Sequence, residues 1–182
     1  VGLIMTGLVP TSPDIDPSVL PRDGAAWFPR INGVRSVLAG WRDLAERVHA
    51  HGAPIFIQLT AGLGRVGSPE CVRARWRLPV SASWNPNFYV PPVPCRRLSD
   101  RAVRRIVRDI GQAAADAQEC GLDGVHLHGH EGYLLEQFAN TAFNRRRFGR
   151  YADWQALGLD AVSEIRRRCG QAYPIAYRID LS

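Results

Sequence analysis

The sequence contains no lysine, one methionine, four widely spaced cysteines and no long hydrophobic run. The cysteines form no C-x-x-C pair, so neither a zinc knuckle nor a disulfide framework is indicated. A reducing cytoplasm is therefore the expected compartment. No apolar run approaches the ~20 residues that a membrane span needs, so we expect no membrane contact.

Because lysine is absent, all 23 basic residues are arginines, and the formal net charge is +6 with an isoelectric point of about 9.7. Such a charge is compatible with nucleic-acid binding. However, most arginines lie on predicted helices with acidic residues between them, as in the segment from Asp100 to Asp109. We interpret this pattern as a solvated helix face and expect no nucleic-acid partner.

The length of 182 residues, with 46% hydrophobic and 22% charged residues, predicts one globular domain. The chain begins at Val1 inside an apolar run and ends at Ser182 just after another. We therefore expect both ends to be cuts through a larger protein.

Short apolar runs alternate with helical patterns along the chain. The predicted strands are Val1–Thr6, Pro54–Leu59, Leu122–His128 and Tyr173–Ile179. The predicted helices are Ser36–Ala50, Ser99–Cys120 with Ser99 as its cap, and a third that follows Asp153 and turns Trp154, Leu157, Ala161, Val162 and Ile165 inward. The order β-α-β-α-β-α-β predicts parallel strands with right-handed crossovers.

The loops after the strands are long (Gly7–Arg35, Thr60–Leu98 and Gly129–Ala152), whereas those after the helices have only a few residues. Enzymes with sites at the carboxyl ends of parallel strands show this asymmetry. A Rossmann sheet is disfavoured because no G-x-G-x-x-G follows the first strand. We favour a partial (β/α)8 TIM barrel of about four strands and three main helices, which needs about four more strands to close.

The segment from His126 to Tyr133 holds the strongest candidates for chemistry. In a strand, His126 and His128 share one face, and Tyr133 reaches back from the following loop. Two chemistries fit. The His-x-His pair could bind a divalent metal, as in barrel hydrolases. Alternatively, a histidine donates a hydrogen bond to a substrate oxygen while the phenol, with a pKa of about 10, delivers a proton.

Two further polar residues interrupt predicted strands near their carboxyl ends, Gln58 and Arg178. Neither is a usual metal ligand. An amide with a fixed cation suits a flat heteroaromatic ring that has amide-like edges and becomes negatively charged on reduction. The alternative for Arg178 is a salt bridge with an acid such as Asp180.

Five segments match one known family: VGLIMTG (Val1–Gly7), IFIQLTAGLGR (Ile55–Arg65), DGVHLHGHEGYLLEQF (Asp123–Phe138), NRRRFGRY (Asn144–Tyr151) and YPIAYRIDLS (Tyr173–Ser182). With these segments the chain resembles the Old Yellow Enzyme type of NADH:flavin oxidoreductase. It is most similar to the branch of 2,4-dienoyl-CoA reductase, 2-enoate reductase and the bile-acid-inducible flavin oxidoreductases. The H-G-x-x-G-Y-L-L pattern is the specific part.

The resemblance implies an FMN-binding TIM barrel, of which residues 1–182 are a part that lacks the first strand and the C-terminal half. Gly7, at the end of the first strand, would let the backbone approach the isoalloxazine. Gln58 would hydrogen-bond the flavin pyrimidine edge, and Arg178 would lie near N1 and O2. NAD(P)H would be the reductant. Relatives of this branch also carry a 4Fe–4S cluster and FAD, which we expect only in the full-length protein.

The implied reaction is reduction of the C=C bond of an α,β-unsaturated carbonyl or enoyl-CoA-like substrate, with hydride from the flavin. Tyr133 would protonate the α-carbon, and His128 would hold the substrate oxygen. Glu131 stands where many relatives carry His or Asn, and an ionised carboxylate cannot donate a hydrogen bond. We expect it to orient Tyr133 or to relay protons. No metal ligand is assigned.

Three alternatives remain at this point. Oxidative amine demethylation is another reaction of the same family. A metal-dependent hydrolase would use His126 and His128. The third is a non-catalytic fragment. The exposed sheet edges of a half barrel also predict association into homo-oligomers.

The resemblance places the strands that hold the FMN phosphate after Ser182. We therefore expect the isolated 182-residue chain to be inactive and to bind FMN weakly or not at all. Flavin absorbance of the purified chain tests this expectation, which stoichiometric FMN would contradict.

Overall fold

A computed structural model describes residues 2–19, 28–31 and 33–180 of the chain. Val1 of the first predicted strand, and Leu181 and Ser182 of the last matching segment, lie outside the described residues. Within these ranges, no helix has both the length and the apolar character required to cross a bilayer.

The described elements alternate between strands and helices for most of the chain. In order they are β1 (Ile4–Pro10), α1 (Arg35–His49), β2 (Ile55–Thr60), α2 (Glu70–Arg75), β3 (Val80–Ser81), β4 (Asn85–Pro86), β5 (Pro94–Arg97), α3 (Asp100–Glu119), β6 (Gly124–Gly129), α4 (Leu134–Ala139), α5 (Ala156–Cys169) and β7 (Ile175–Ile179). Single 3-10 turns lie at Pro17–Val19, Gly64–Val66 and Arg150–Ala152.

The main sheet has four parallel strands in the order β1-β2-β6-β7, which confirms the predicted parallel arrangement. Each neighbouring pair is joined through a helix that packs on the same side of the sheet, as in part of a (β/α)8 barrel. The register pairs Gln58 with His126, and His128 with Arg178. All four side chains therefore project from the face that is not covered by the helices.

The other face of the sheet forms the core. Ile57, Leu59, Val125 and Leu127 are completely buried beneath the helices. Burial of each such side chain contributes about 1.5–3 kcal/mol, so this layer is the main source of stability for the sheet. The predicted cap is confirmed, since the Ser99 hydroxyl accepts a hydrogen bond from the Ala102 N–H at 3.2 Å.

Two details of the predicted elements are wrong. The first strand runs from Ile4 to Pro10, so Gly7 lies in its middle rather than at its end. Trp154 was expected to face the core but is 52% exposed. The reason is that α5 begins only at Ala156, so Trp154 precedes the helical periodicity, while the Asp153 carboxylate accepts the Gln155 N–H at 2.9 Å.

The long loops contain structure that the sequence patterns did not indicate. A small sheet with the order β3-β5-β4 and the short helix α2 lie between β2 and α3. Strands of two to four residues and helices of six residues are too short for hydrophobic periodicity to show. These elements position the loops at the carboxyl edge of the main sheet.

Gly129, the last residue of β6, provides a test of the packing between β6 and β7. A Cβ at this position would lie 2.6 Å from Tyr177 Cε2 and 2.8 Å from the Arg178 carbonyl oxygen. We expect Gly129→Ala to lower the free energy of unfolding by about 1–3 kcal/mol through overpacking. Chemical denaturation would measure the change.

The matched control is Gly40→Ala on the exposed side of α1, where a Cβ would meet no atom within 4 Å. This substitution should raise the free energy of unfolding by about 0.5–1 kcal/mol, because alanine favours the helix. Equal effects of the two variants would contradict the proposed close packing at Gly129.

Candidate active site

The candidate site lies at the carboxyl ends of β2, β6 and β7, on the face without helices. Strand β2 supplies Gln58, β6 supplies His128, and β7 supplies Arg178. The loop between β6 and α4 adds Glu131 and Tyr133. The structure therefore brings these predicted site residues together from three neighbouring strands.

His128 is the most enclosed of these side chains, with 3% of the residue exposed. Its ring centroid lies 5.0 Å from that of Tyr133. Burial lowers the pKa of His128 and the nearby Glu131 charge opposes this shift only in part, so the imidazole is neutral at pH 7. Within the described part of the chain, neither ring nitrogen has a hydrogen-bond partner. Buried imidazole nitrogens rarely remain unsatisfied, which indicates a polar ligand at this position.

Glu131 links the imidazole to the cation on β7. Its carboxylate oxygens lie 3.7 Å from His128 Nε2 and 3.8 Å from an Arg178 guanidinium nitrogen. Its backbone is left-handed, with φ of 63°, a conformation that costs free energy for a residue other than glycine. This backbone geometry accompanies the placement of the carboxylate between His128 and Arg178.

Tyr133 immediately precedes α4 and is half-buried. Burial raises the pKa of its phenol, and the charge and hydrogen bond of Glu131 raise it further. Both causes disfavour the phenolate. The side chain therefore holds its proton at neutral pH and can release it only to a strongly basic atom.

Gln58 is held by two contacts with its neighbours. Its Nε2 lies 3.0 Å from His126 Nδ1, and its backbone N–H donates to Thr6 Oγ1 at 3.0 Å. Because an amide N–H can only donate, His126 Nδ1 is the acceptor, and the proton of the neutral ring is on Nε2. Burial, followed by the charge of Arg178, lowers the pKa of His126. His126 therefore orients Gln58, a role that sequence reasoning missed.

Gly7 lies next to this row of polar groups. The pairing of β1 with β2 shifts between Met5 and Leu8, and Leu8 then pairs with Gln58. A Cβ at Gly7 would meet no atom within 4 Å, so the space beside this backbone is open. An open glycine backbone, an oriented amide and a cation together fit one edge of a planar heteroaromatic cofactor.

Two further residues that sequence reasoning missed position the Tyr133 loop. Gln137 is fully buried, and its Nε2 donates to the Gly132 carbonyl at 2.6 Å and to the Leu63 carbonyl at 3.2 Å. The Glu136 carboxylate accepts the Gly132 N–H at 2.6 Å. The only sequence signal for this network is a pair of polar residues inside the apolar segment LLEQF.

The metal-dependent hydrolase alternative is not supported. The rings of His126 and His128 are 6.4 Å apart and nearly perpendicular, and His126 Nδ1 already contacts Gln58. Burial, and after it the positive charge of Arg178, lowers the pKa of His126, and among the described residues no negative partner that would favour a cation at that imidazole contributes to this shift.

The fold is that of part of a (β/α)8 barrel, and its polar candidate residues lie at the carboxyl ends of three neighbouring strands. The sequence profile described as the NADH:flavin oxidoreductase / NADH oxidase family matches residues 23–182. The chain therefore belongs to this family. This result confirms the resemblance that was inferred from the sequence segments.

Individual relatives agree with this assignment. Cinnamate reductase from Clostridium sporogenes is 39% identical over 184 residues, which cover 99% of this chain and 27% of that protein. NADH oxidase from Thermoanaerobacter brockii is 32% identical over 151 residues, which cover 78% of this chain and 22% of that protein. The structure of morphinone reductase in complex with tetrahydroNAD matches with a TM-score of 0.78 at 27% identity, covering 97% of this chain and 50% of that one. The chain thus spans between about a fifth and a half of the length of these relatives. The structural match confirms the partial-barrel fold.

The coupling between Glu131 and Tyr133 can be tested by titration. Glu131→Gln removes a charge that disfavours the phenolate, so we expect a lower pKa for Tyr133, which remains raised by burial. Nuclear magnetic resonance of labelled tyrosine would measure it. Glu46→Gln, on the exposed side of α1, is the control. An unchanged pKa of Tyr133, or the same change in both variants, would refute the coupling.

Proposed function

We propose that the protein containing this chain reduces the C=C bond of an α,β-unsaturated carbonyl or enoyl-CoA-like compound. FMN would be its cofactor and NAD(P)H its reductant. The observation that carries this proposal is the buried, unsatisfied imidazole of His128 beside the protonated phenol of Tyr133. Membership of the flavin oxidoreductase family and the similarity to a cinnamate reductase support it.

Gly7, Gln58 and Arg178 would hold the flavin ring. The open backbone at Gly7 leaves room for a flat group, and the Gln58 amide, oriented by His126, suits an amide-like ring edge. The Arg178 cation would stabilise negative charge that develops on the ring. When bound, FMN supplies the hydride chemistry.

His128 and Tyr133 would act on the substrate. A neutral imidazole can donate one hydrogen bond to the carbonyl oxygen and thereby stabilise charge that develops there. Tyr133 would then deliver its proton to the carbon next to the carbonyl group. Glu131, as a carboxylate, cannot serve as a second donor to the oxygen; it would position the phenol and keep it protonated.

We also propose that residues 1–182 are one part of a larger FMN-binding barrel. All four cysteines are free thiols and three of them are buried, which suits a reducing compartment such as the cytoplasm. Strands β1 and β7 form the edges of the described sheet, and such edges favour association with further strands or with other copies of the chain. A 4Fe–4S cluster and FAD would belong to other segments.

Substitution of Tyr133 by Phe tests the assigned proton transfer. In rapid-mixing experiments on the full-length protein, we expect flavin reduction by NADH to be unchanged. Reoxidation of the reduced flavin by an unsaturated acid or enone should slow by about 10²–10⁴-fold, the usual contribution of a positioned general acid.

Tyr151→Phe is the matched control, because it removes a buried phenol that bonds Asp160 at 3.1 Å behind the sheet. Its two half-reactions should match those of the unmodified protein. Equal slowing of both half-reactions in Tyr133→Phe would refute the assigned role, and a full-length protein without flavin absorbance would refute the proposed function.

A further inference from the structure

Three potential metal ligands from separate segments meet behind the candidate active site. His130 follows β6, Glu136 lies in the first turn of α4, and Asp180 follows β7. One ligand atom from each lies within 4.8 Å of the other two. His130 Nδ1 and Asp180 Oδ2 are 3.4 Å apart.

This separation is what tetrahedral coordination requires. Ligand atoms at about 2.0–2.1 Å from a tetrahedral Zn²⁺ lie roughly 3.4 Å from one another. His130 and Asp180 already satisfy this spacing. A Glu136 oxygen lies within 4.8 Å of both ligand atoms, and only one of its two oxygens accepts the Gly132 N–H.

The surroundings also suit a cation. A cavity of about 50 Å³ adjoins two of the three residues, Glu136 and Asp180, and His130 is not among the residues that line it. It is larger than the roughly 10–15 Å³ that one water molecule needs, so it has room for a water molecule beside the two carboxylates. Glu136 is 92% buried, and one of its oxygens lies within 4.8 Å of an Asp180 oxygen, an arrangement that a cation bound between them would stabilise.

We propose that His130, Glu136 and Asp180 bind one divalent transition-metal ion, with Zn²⁺ as the representative. One imidazole and two carboxylates form an established type of ligand set for such ions. The ion would connect the loop that carries Glu131 and Tyr133 to the end of β7. The site is separate from the His126 and His128 pair, and the proposal does not depend on the proposed reaction.

The test measures Zn²⁺ binding to the purified full-length protein by equilibrium dialysis and metal analysis. Exchangeable divalent ions are removed beforehand by dialysis against a chelator under anaerobic conditions, which leaves any iron–sulfur cluster in place, and Zn²⁺ alone is the probe. We expect one Zn²⁺ at this site and a higher melting temperature when it is bound. His130→Ala and Asp180→Asn should each weaken binding at least about tenfold and abolish the increase in melting temperature.

His51→Ala, which removes an exposed imidazole in the turn after α1, is the matched control and should bind as the unmodified protein does. Three results would overturn the proposal: no binding by the unmodified protein, unchanged binding in His130→Ala and Asp180→Asn, or equal loss in His51→Ala.

Discussion

The register of the parallel sheet is the constraint on which the site depends. Because β6 pairs with β2 at Gln58 and with β7 at Arg178, the polar residues of three strands share one face. A shift of one residue in any one of these strands would turn its polar side chains into the apolar layer beneath the helices. That layer is packed with fully buried aliphatic side chains, so the hydrophobic core and the polar site fix the same register.

The loop after β6 gives this face its chemistry. Glu131 adopts a left-handed backbone, and buried Gln137 and Glu136 hold the following Gly132 from both its carbonyl and its N–H. These hydrogen bonds, made outside the site, hold the loop that places Tyr133 against His128. Polar residues behind the site therefore position two groups that would contact a substrate.

Much of the fold follows from sequence patterns, because long buried strands and amphipathic helices have strong periodicity. Ser99, Gln58 and Arg178 could be placed for this reason, each by its position relative to a predicted element. Trp154 could not, because the start of α5 depends on a local turn at Asp153. The contact of Gln58 with His126 requires the inter-strand register, which a single sequence does not specify, and the small sheet β3-β5-β4 is too short to leave a pattern.

The left-handed backbone at Glu131 has a consequence for how this site can diversify. Among residues with a side chain, asparagine tolerates this conformation with particular ease, whereas β-branched residues are strongly disfavoured. An exchange from acid to amide at position 131 would thus change the polarity presented to a substrate without refolding the loop. The left-handed backbone thus limits the residue types that can occupy position 131. Changes in substrate selectivity at this position are therefore restricted to a small set of polar side chains.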